Sequence, residues 1–154
     1  MRPTLILAAL LLGAPPAPAE EAAPGGLPAV KVQDLHYGDV LFYFYQHDHF
    51  NSLVRLAAYH DQGRLAVHAR GAELLRGGLY LSLGQHREAR EIFEKLLADQ
   101  STPAPVRDQA WFYLGKVLYA SGLYDASERA LRSVSGTLPA ALDAERRLLL
   151  AQGL

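Results

Sequence analysis

The stretch that decides the fold is Trp111-Phe112-Tyr113-Leu114-Gly115, followed by Gly122-Leu123-Tyr124. Its two glycines have counterparts 38 residues earlier, because Gly77 precedes Gly115 and Gly84 precedes Gly122 by that number. Glycines that keep their mutual spacing within a helical apolar pattern indicate an internal repeat. The sequence therefore predicts an all-α fold built from repeated, antiparallel helix pairs.

The first 19 residues have the pattern of a secretory signal peptide. Arg2 supplies a positive charge, residues 5–12 are apolar, and Ala17-Pro18-Ala19 is typical of a cleavage site before Glu20. A membrane anchor is the alternative, but the apolar run is shorter than the ~18–20 residues that a span needs. We therefore expect export, with the bacterial periplasm as the location and no membrane span after signal removal.

Composition separates a leader from a folded domain. Residues 20–33 are rich in Ala, Pro and Gly and predict a flexible leader, whereas residues 34–154 are long enough for one domain. The chain has no cysteine, which excludes disulfides. Its formal net charge of −1 argues against nucleic acid as a partner, because that surface would need a basic stripe.

Helical periodicity and breaker residues place the helices. We expect helices over residues 34–45, from residue 50 towards a stop at Gly63, and over 65–83, 86–98, 106–121, 124–135 and from about 139 to the end. Within 86–98, charged residues occupy the face opposite the apolar one, which is typical of a solvated helix surface.

The spacing of these residues resembles the tetratricopeptide repeat, a helix–turn–helix unit of about 34 residues. The resemblance implies a right-handed solenoid with units at 34–67, 70–103 and 108–141 and a terminal helix at 142–154. The motif positions that carry it are Gly77, Gly84, Ala89, Trp111, Gly115, Gly122 and Pro139. The chain is also similar to N-terminal parts of longer, uncharacterised envelope proteins of Gram-negative bacteria with such repeats.

Two units depart from the family pattern. Glu73 stands where a large aromatic residue is usual, and Leu41 and Leu53 stand at positions that the family keeps small. Helices approach closely only where side chains are short, so we expect the first pair to be spread or tilted. Gly77 and Gly115 each cost about 1 kcal/mol against Ala inside a helix, which close packing must offset.

In this family, the first helices of the units line a concave groove that binds peptides. The resemblance implies that a partner groove here is lined by Phe42, Tyr45, Gln46, Leu81, Ser82, Phe112, Lys116 and Tyr119. Aromatic residues suit such a surface because they bury a large area at small entropic cost. The alternative is that Phe42 and Phe112 belong to the core. Lys116 is the one positive charge on this strip, so no basic clamp for a terminal carboxylate is expected.

Another stretch, His47-Asp48-His49, has residue types that bind metals. Two imidazoles and a carboxylate, with His60, could hold a divalent ion, but the spacing matches no zinc pattern and a solvated turn is the alternative. No nucleophile–base or nucleotide motif is present, so we expect no enzyme activity and no cofactor. The expected function is an exported adaptor that binds another envelope protein or peptide, with periplasmic metal binding by His47 and His49 as the alternative.

The C-terminal helix carries three consecutive leucines, Leu148 to Leu150. Consecutive helical residues lie about 100° apart, so at least one leucine is expected outside, and Arg146 and Arg147 shield only part of the run. A terminal helix normally presents a polar outer face. We therefore expect this end to self-associate, to bind a partner or to continue into a longer array.

Overall fold

The computed structural model describes residues 33–152, in which every regular element is helical. The α-helices are α1 (Leu35–Tyr45), α2 (His49–Asp61), α3 (Ala69–Ser82), α4 (His86–Ala98), α5 (Ala104–Ala120), α6 (Tyr124–Arg132) and α7 (Ala140–Gln152), with a 3₁₀ turn at Ala66–His68. The all-α prediction is confirmed for this part of the chain. The predicted signal peptide (1–19), most of the leader (20–33) and the last two residues lie outside the described residues.

Helices that follow one another in sequence pack against one another in space. We call α1–α2, α3–α4 and α5–α6 the first, second and third pairs, because the two helices of each are joined by a short turn and are in contact. Adjacent pairs meet through α2 and α3, and through α4 and α5, while α3 also touches α5. Helix α7 packs on both helices of the third pair.

The turn inside each pair has the same backbone conformation. His47, Gly84 and Gly122 have φ angles of 59°, 73° and 74°. Each donates its N–H to the carbonyl three residues earlier, and the next residue donates to the carbonyl five residues before it. This pattern is a Schellman ending, whose left-handed residue is usually glycine. His47 therefore occupies a position that the other two pairs fill with glycine.

In the first and third pairs, a side-chain hydrogen bond joins residues that are 12 positions apart, Val40 with Ser52 and Gly115 with Ser127. The corresponding residues of the second pair are Gly77 and Ala89, and all six residues are buried. The Ser52 hydroxyl donates to the Val40 carbonyl at 3.0 Å, and the Ser127 hydroxyl donates to the Gly115 carbonyl at 2.8 Å.

These contacts correct the register expected for the first pair. The small residue of α2 that faces α1 is Ser52, not Leu53, and its partner is Val40, not Leu41. The repeat distance from first to second pair is thus one residue shorter than from second to third. Leu41 and Leu53 are only partly buried and pack at the edge of the core, so they do not force α1 and α2 apart.

Glycine is required where two helices nearly touch. A Cβ atom added to Gly77 would lie 2.5 Å from the Phe93 ring, and one added to Gly115 would lie 2.6 Å from the Leu131 side chain. Phe93 and Leu131 are both buried and cannot move aside. Both glycines therefore lie at close contacts between the helices of a pair, and Leu131 is the side chain that a Cβ at Gly115 would meet.

The α6 helix ends earlier than its sequence pattern predicts. Asp108 on α5 is buried, and its Oδ1 accepts hydrogen bonds from the Ser135 backbone N–H at 2.9 Å and from the Ser135 hydroxyl at 3.3 Å. Ser135 therefore bonds to a side chain of another helix instead of continuing α6 beyond Arg132. A Cβ at Gly136 would collide with the same carboxylate.

The core forms three clusters that follow one another along the chain. The first lies in the first pair and the start of the second, the next joins the second and third pairs, and the last holds α7 on the third pair. Leu149 and Leu150 pack in that last cluster, while Leu148 is 57% exposed. One of the three C-terminal leucines is thus outside, as the helical geometry required.

Candidate partner-binding surface

The eight residues predicted to line a groove differ widely in exposure. On α1 and its turn, Phe42, Tyr45 and Gln46 are exposed; on α3, Leu81 is half-buried and Ser82 exposed; on α5, Phe112 is buried and Lys116 and Tyr119 are half-buried. The predicted groove residues are therefore exposed on α1 and its turn, and on α3 and α5 most of them are half-buried or buried.

Phe112 belongs to the core, not to a surface. Its side chain has no exposed area and packs with Leu131 and Leu138, with its ring 5.1 Å from that of Tyr113 in an edge-on arrangement. Leu138 comes from the loop after α6, so its contact with Phe112 depends on how that loop folds back. The assignment of Phe112 to a partner groove was therefore wrong, and the core alternative applies to this residue.

Phe42 and Gln46 also fall outside the strip, because the register of α1 is set by its turn. Counting back from the left-handed residues His47, Gly84 and Gly122, Phe42 corresponds to Leu79 and Val117, which are both buried against the preceding pair. The position that corresponds to Leu81 and Tyr119 is Phe44. Phe42 is 60% exposed because α1 has no preceding pair to cover it among the described residues.

A corrected strip follows from this register, and we call it the first-helix strip. In each pair it takes the two residues that lie three and two positions before the turn residue. Ala120 is left out because its side chain is too small to contribute. The strip therefore consists of Phe44, Tyr45, Leu81, Ser82 and Tyr119. Tyr45 is 55% exposed and its ring lies 5.4 Å from that of Phe44. Tyr119 stands 5.2 Å from the ring of Tyr124. Such a surface offers aromatic faces and hydroxyl groups without a net charge.

Helix α7 engages the α5 end of this surface. Lys116 Nζ lies 2.7 Å from the Glu145 carboxylate, and the Tyr119 hydroxyl lies 3.3 Å from Gln152 Oε1. Lys116 is thus already paired with a carboxylate of this chain.

The His47-Asp48-His49 stretch serves the turn between α1 and α2. Asp48 caps α2, because its carboxylate accepts from the Asn51 side-chain amide at 2.7 Å and from the Asn51 backbone N–H at 3.2 Å. These hydrogen bonds lower the pKa of Asp48 below its ordinary value. The rings of His47 and His49 are 6.1 Å apart.

Within residues 33–152, no three His, Cys, Asp or Glu side chains are grouped so that they could hold a metal ion. The expected site from His47, His49 and His60 is therefore not assembled there. Zinc or copper binding by the two turn histidines stays a prediction. Metal titration of the chain beside a His47→Ala/His49→Ala variant tests it.

A polar network in the first pair was not predicted from the sequence. Asp39 Oδ2 accepts from Arg55 Nη1 and from the Tyr59 hydroxyl, each at 2.7 Å, and Arg55 also donates to the Tyr43 hydroxyl at 2.9 Å. The hydrogen bond to Asp39 raises the pKa of Arg55 above its ordinary value. In the third pair, the residues that correspond to Asp39, Tyr43 and Arg55 are the buried Leu114, Leu118 and Ala130. The first pair thus carries polar groups at positions where the third pair packs apolar side chains against the second.

A cavity of about 460 Å³ lies where the first two pairs meet, away from the first-helix strip. Its lining residues are His60, Gly63, Leu65, Ala66, Ala69, Arg70, Ala72, Glu73, Ile92, Lys95 and Leu96. Glu73 stands where the third pair has Trp111, and a carboxyl fills less space than an indole ring. One oxygen of Glu73 accepts from Arg76 at 2.7 Å, while the other is buried without a hydrogen bond, 3.4 Å from His60 Nε2.

No protein-family model and no curated protein matches the chain. In the part that the structure describes, none of the helices has the length and apolar character needed to cross a bilayer. A function must therefore be inferred from the side chains that the fold brings together.

Proposed function

We propose that the chain is an exported, non-enzymatic adaptor that binds a peptide segment of another envelope protein along the first-helix strip. The proposal includes a tetratricopeptide-like, right-handed solenoid of three pairs plus α7, with the strip on its concave side. The observation that carries it is that the strip has large, partly exposed aromatic side chains on both α1 and α5, with Phe44 and Tyr119 at corresponding positions. Phe44, Tyr45 and Tyr119 lack the apolar neighbours that would bury them fully.

Two internal correspondences support the repeat architecture. The turn residues His47, Gly84 and Gly122 share one backbone conformation and one hydrogen-bond pattern. In the first and third pairs, a serine hydroxyl of the second helix donates to the carbonyl 12 residues earlier on the first helix, and the second pair has the buried Gly77 and Ala89 at the corresponding positions. Units that repeat both features stack with similar geometry, and stacked helix pairs present their first helices side by side.

The charges near the strip favour an uncharged ligand. Lys116 is neutralised by Glu145, and the remaining strip residues carry no charge. An extended peptide could place apolar side chains on Tyr45 and Leu81 and direct its backbone polar groups to the hydroxyls of Ser82 and Tyr119. The strip therefore offers no unpaired cation to a peptide whose affinity depends on its terminal carboxylate.

Affinity capture from a periplasmic extract, with residues 20–154 as bait, tests this function. A captured protein should be lost with a Tyr45→Ala/Tyr119→Ala variant, because each change removes an aromatic contact of the size that dominates binding interfaces. Phe42→Ala is the matched control, since it removes an exposed aromatic residue of α1 that lies outside the strip. Capture that does not depend on the two tyrosines, or that depends equally on Phe42, would overturn the assignment of the strip.

A further inference from the structure

The outer face of α2 is apolar, unlike that of the other second helices. Phe50 is 65% exposed and Val54 is 50% exposed, three and seven positions after the turn residue His47. The corresponding residues are Arg87 and Glu91 in α4 and Asp125 and Arg129 in α6, which are all exposed and charged. Ala57 and Ala58 continue the exposed apolar face of α2. This face is therefore charged and solvated in the second and third pairs, whereas in the first pair it is apolar, as a contact surface is.

This face is complementary to itself about Val54. Phe50 lies four positions before Val54 and Ala58 four positions after it, while His47 and Asp61 lie seven positions to either side. When two such helices cross antiparallel on a two-fold axis at Val54, Phe50 of each copy meets the small Ala58 of the other. A large side chain then faces a small one, as close helix packing needs. The His47 imidazole likewise comes to the end of the partner helix that carries Asp61, whose side chain is 84% exposed and lies 3.5 Å from His60 of its own chain.

We propose that this face of α2 binds the same face of a second copy of the chain, forming an antiparallel two-fold dimer. The surface lies on a second helix and uses none of the first-helix strip, so the dimer does not depend on the proposed function. Each copy contributes mainly one helix, and interfaces that bury less than about 1,200 Å² belong to weak complexes. The dimer is therefore a weak one that forms reversibly with rising concentration.

Cysteine cross-linking tests the two-fold arrangement, because the chain has no cysteine of its own. A disulfide requires Cα atoms about 5.5–6 Å apart, which only residues next to the axis satisfy between two copies. Under a mild copper oxidant, Val54→Cys in residues 20–154 should give a disulfide-linked dimer several times faster than Phe42→Cys or Leu148→Cys. Those two positions are 60% and 57% exposed, slightly more than Val54, and serve as controls for random collision. Equal rates at all three positions, or a faster rate at Leu148, would overturn the proposal.

Sedimentation velocity across a concentration series gives the independent measurement. Wild-type protein should shift from monomer towards dimer, and a Phe50→Arg/Val54→Glu variant should stay monomeric. That variant gives α2 the residues that α4 carries at the corresponding positions, and both replaced side chains are exposed, so the fold is kept. A wild type that remains monomeric at every concentration, or a variant that still dimerises, contradicts the proposed surface.

Discussion

Gly77 and Gly78 are adjacent on α3 and have opposite surroundings. A Cβ at Gly77 meets the Phe93 ring at 2.5 Å, whereas a Cβ at Gly78 meets nothing within 4 Å. We expect Gly77→Ala to destabilise the domain by about 1–3 kcal/mol through overpacking. Gly78→Ala should stabilise it by up to about 1 kcal/mol, because Ala is the better helix former. Urea unfolding of both variants measures the two signs, and a Gly77→Ala protein as stable as wild type would show that α3 and α4 are not in close contact.

Single residues also show which features could be predicted from the sequence. Gly84 and Gly122 indicate their turns because glycine is the usual residue with positive φ. His47 has the same conformation, but its residue type does not indicate it. The first turn was therefore placed correctly while the register of α1 was misassigned by one residue. Phe112 was misassigned for another reason, since the residues that cover it, Leu131 and Leu138, come from α6 and the loop after it, which local periodicity does not report.

At the scale of a helix, Asp48 links the stability of α2 to pH. Its carboxylate accepts hydrogen bonds from Asn51, and its pKa in the folded protein is lowered below the ordinary 3.8. The unfolded chain thus binds the proton more tightly, so this contribution is present above pH 3.8 and is lost as pH falls through the folded pKa. Asp48→Asn keeps a capping oxygen but does not titrate. The melting temperature of wild type, relative to that of Asp48→Asn, should therefore fall in that acid range. If the difference between the two melting temperatures stayed constant from neutral pH down to that range, the role of the charge would be contradicted.

Helix boundaries were predictable where the signals are local. The range expected for α4, residues 86–98, agrees at both ends because its apolar face and flanking turn residues all lie within the helix or beside it. The α6 helix was predicted three residues too long, since its end depends on Asp108 of another helix. The Asp39–Arg55 pair was missed for the same reason, because a salt bridge between helices leaves no periodic signal in either one.

At the scale of the whole molecule, the C-terminal helix presents one leucine and buries two. Leu148 is 57% exposed, while Leu149 and Leu150 pack on the third pair. Leu148→Glu should leave the melting temperature nearly unchanged and reduce any association through this end. Leu149→Glu should lower the melting temperature, because it places a charge among Phe112, Leu131 and Leu138. Thermal unfolding and light scattering measure the two effects, and equal destabilisation by both changes would contradict the packing of α7.

The cavity beside Glu73 bears on the proposed peptide binding. The first pair joins the second mainly through α2 and α3, with the Tyr37 ring stacked 4.6 Å from His68, and this contact is less extensive than that between α4 and α5. The open cavity lies beside this junction. A junction with few buried contacts opens locally at lower free energy than the rest of a domain. Tyr45 lies on one side of it and Leu81 on the other, so a peptide that touches both would hold the two pairs in one orientation. Part of the binding energy is then spent as lost conformational entropy, and filling the space beside Glu73 would tighten binding without adding any contact to the ligand.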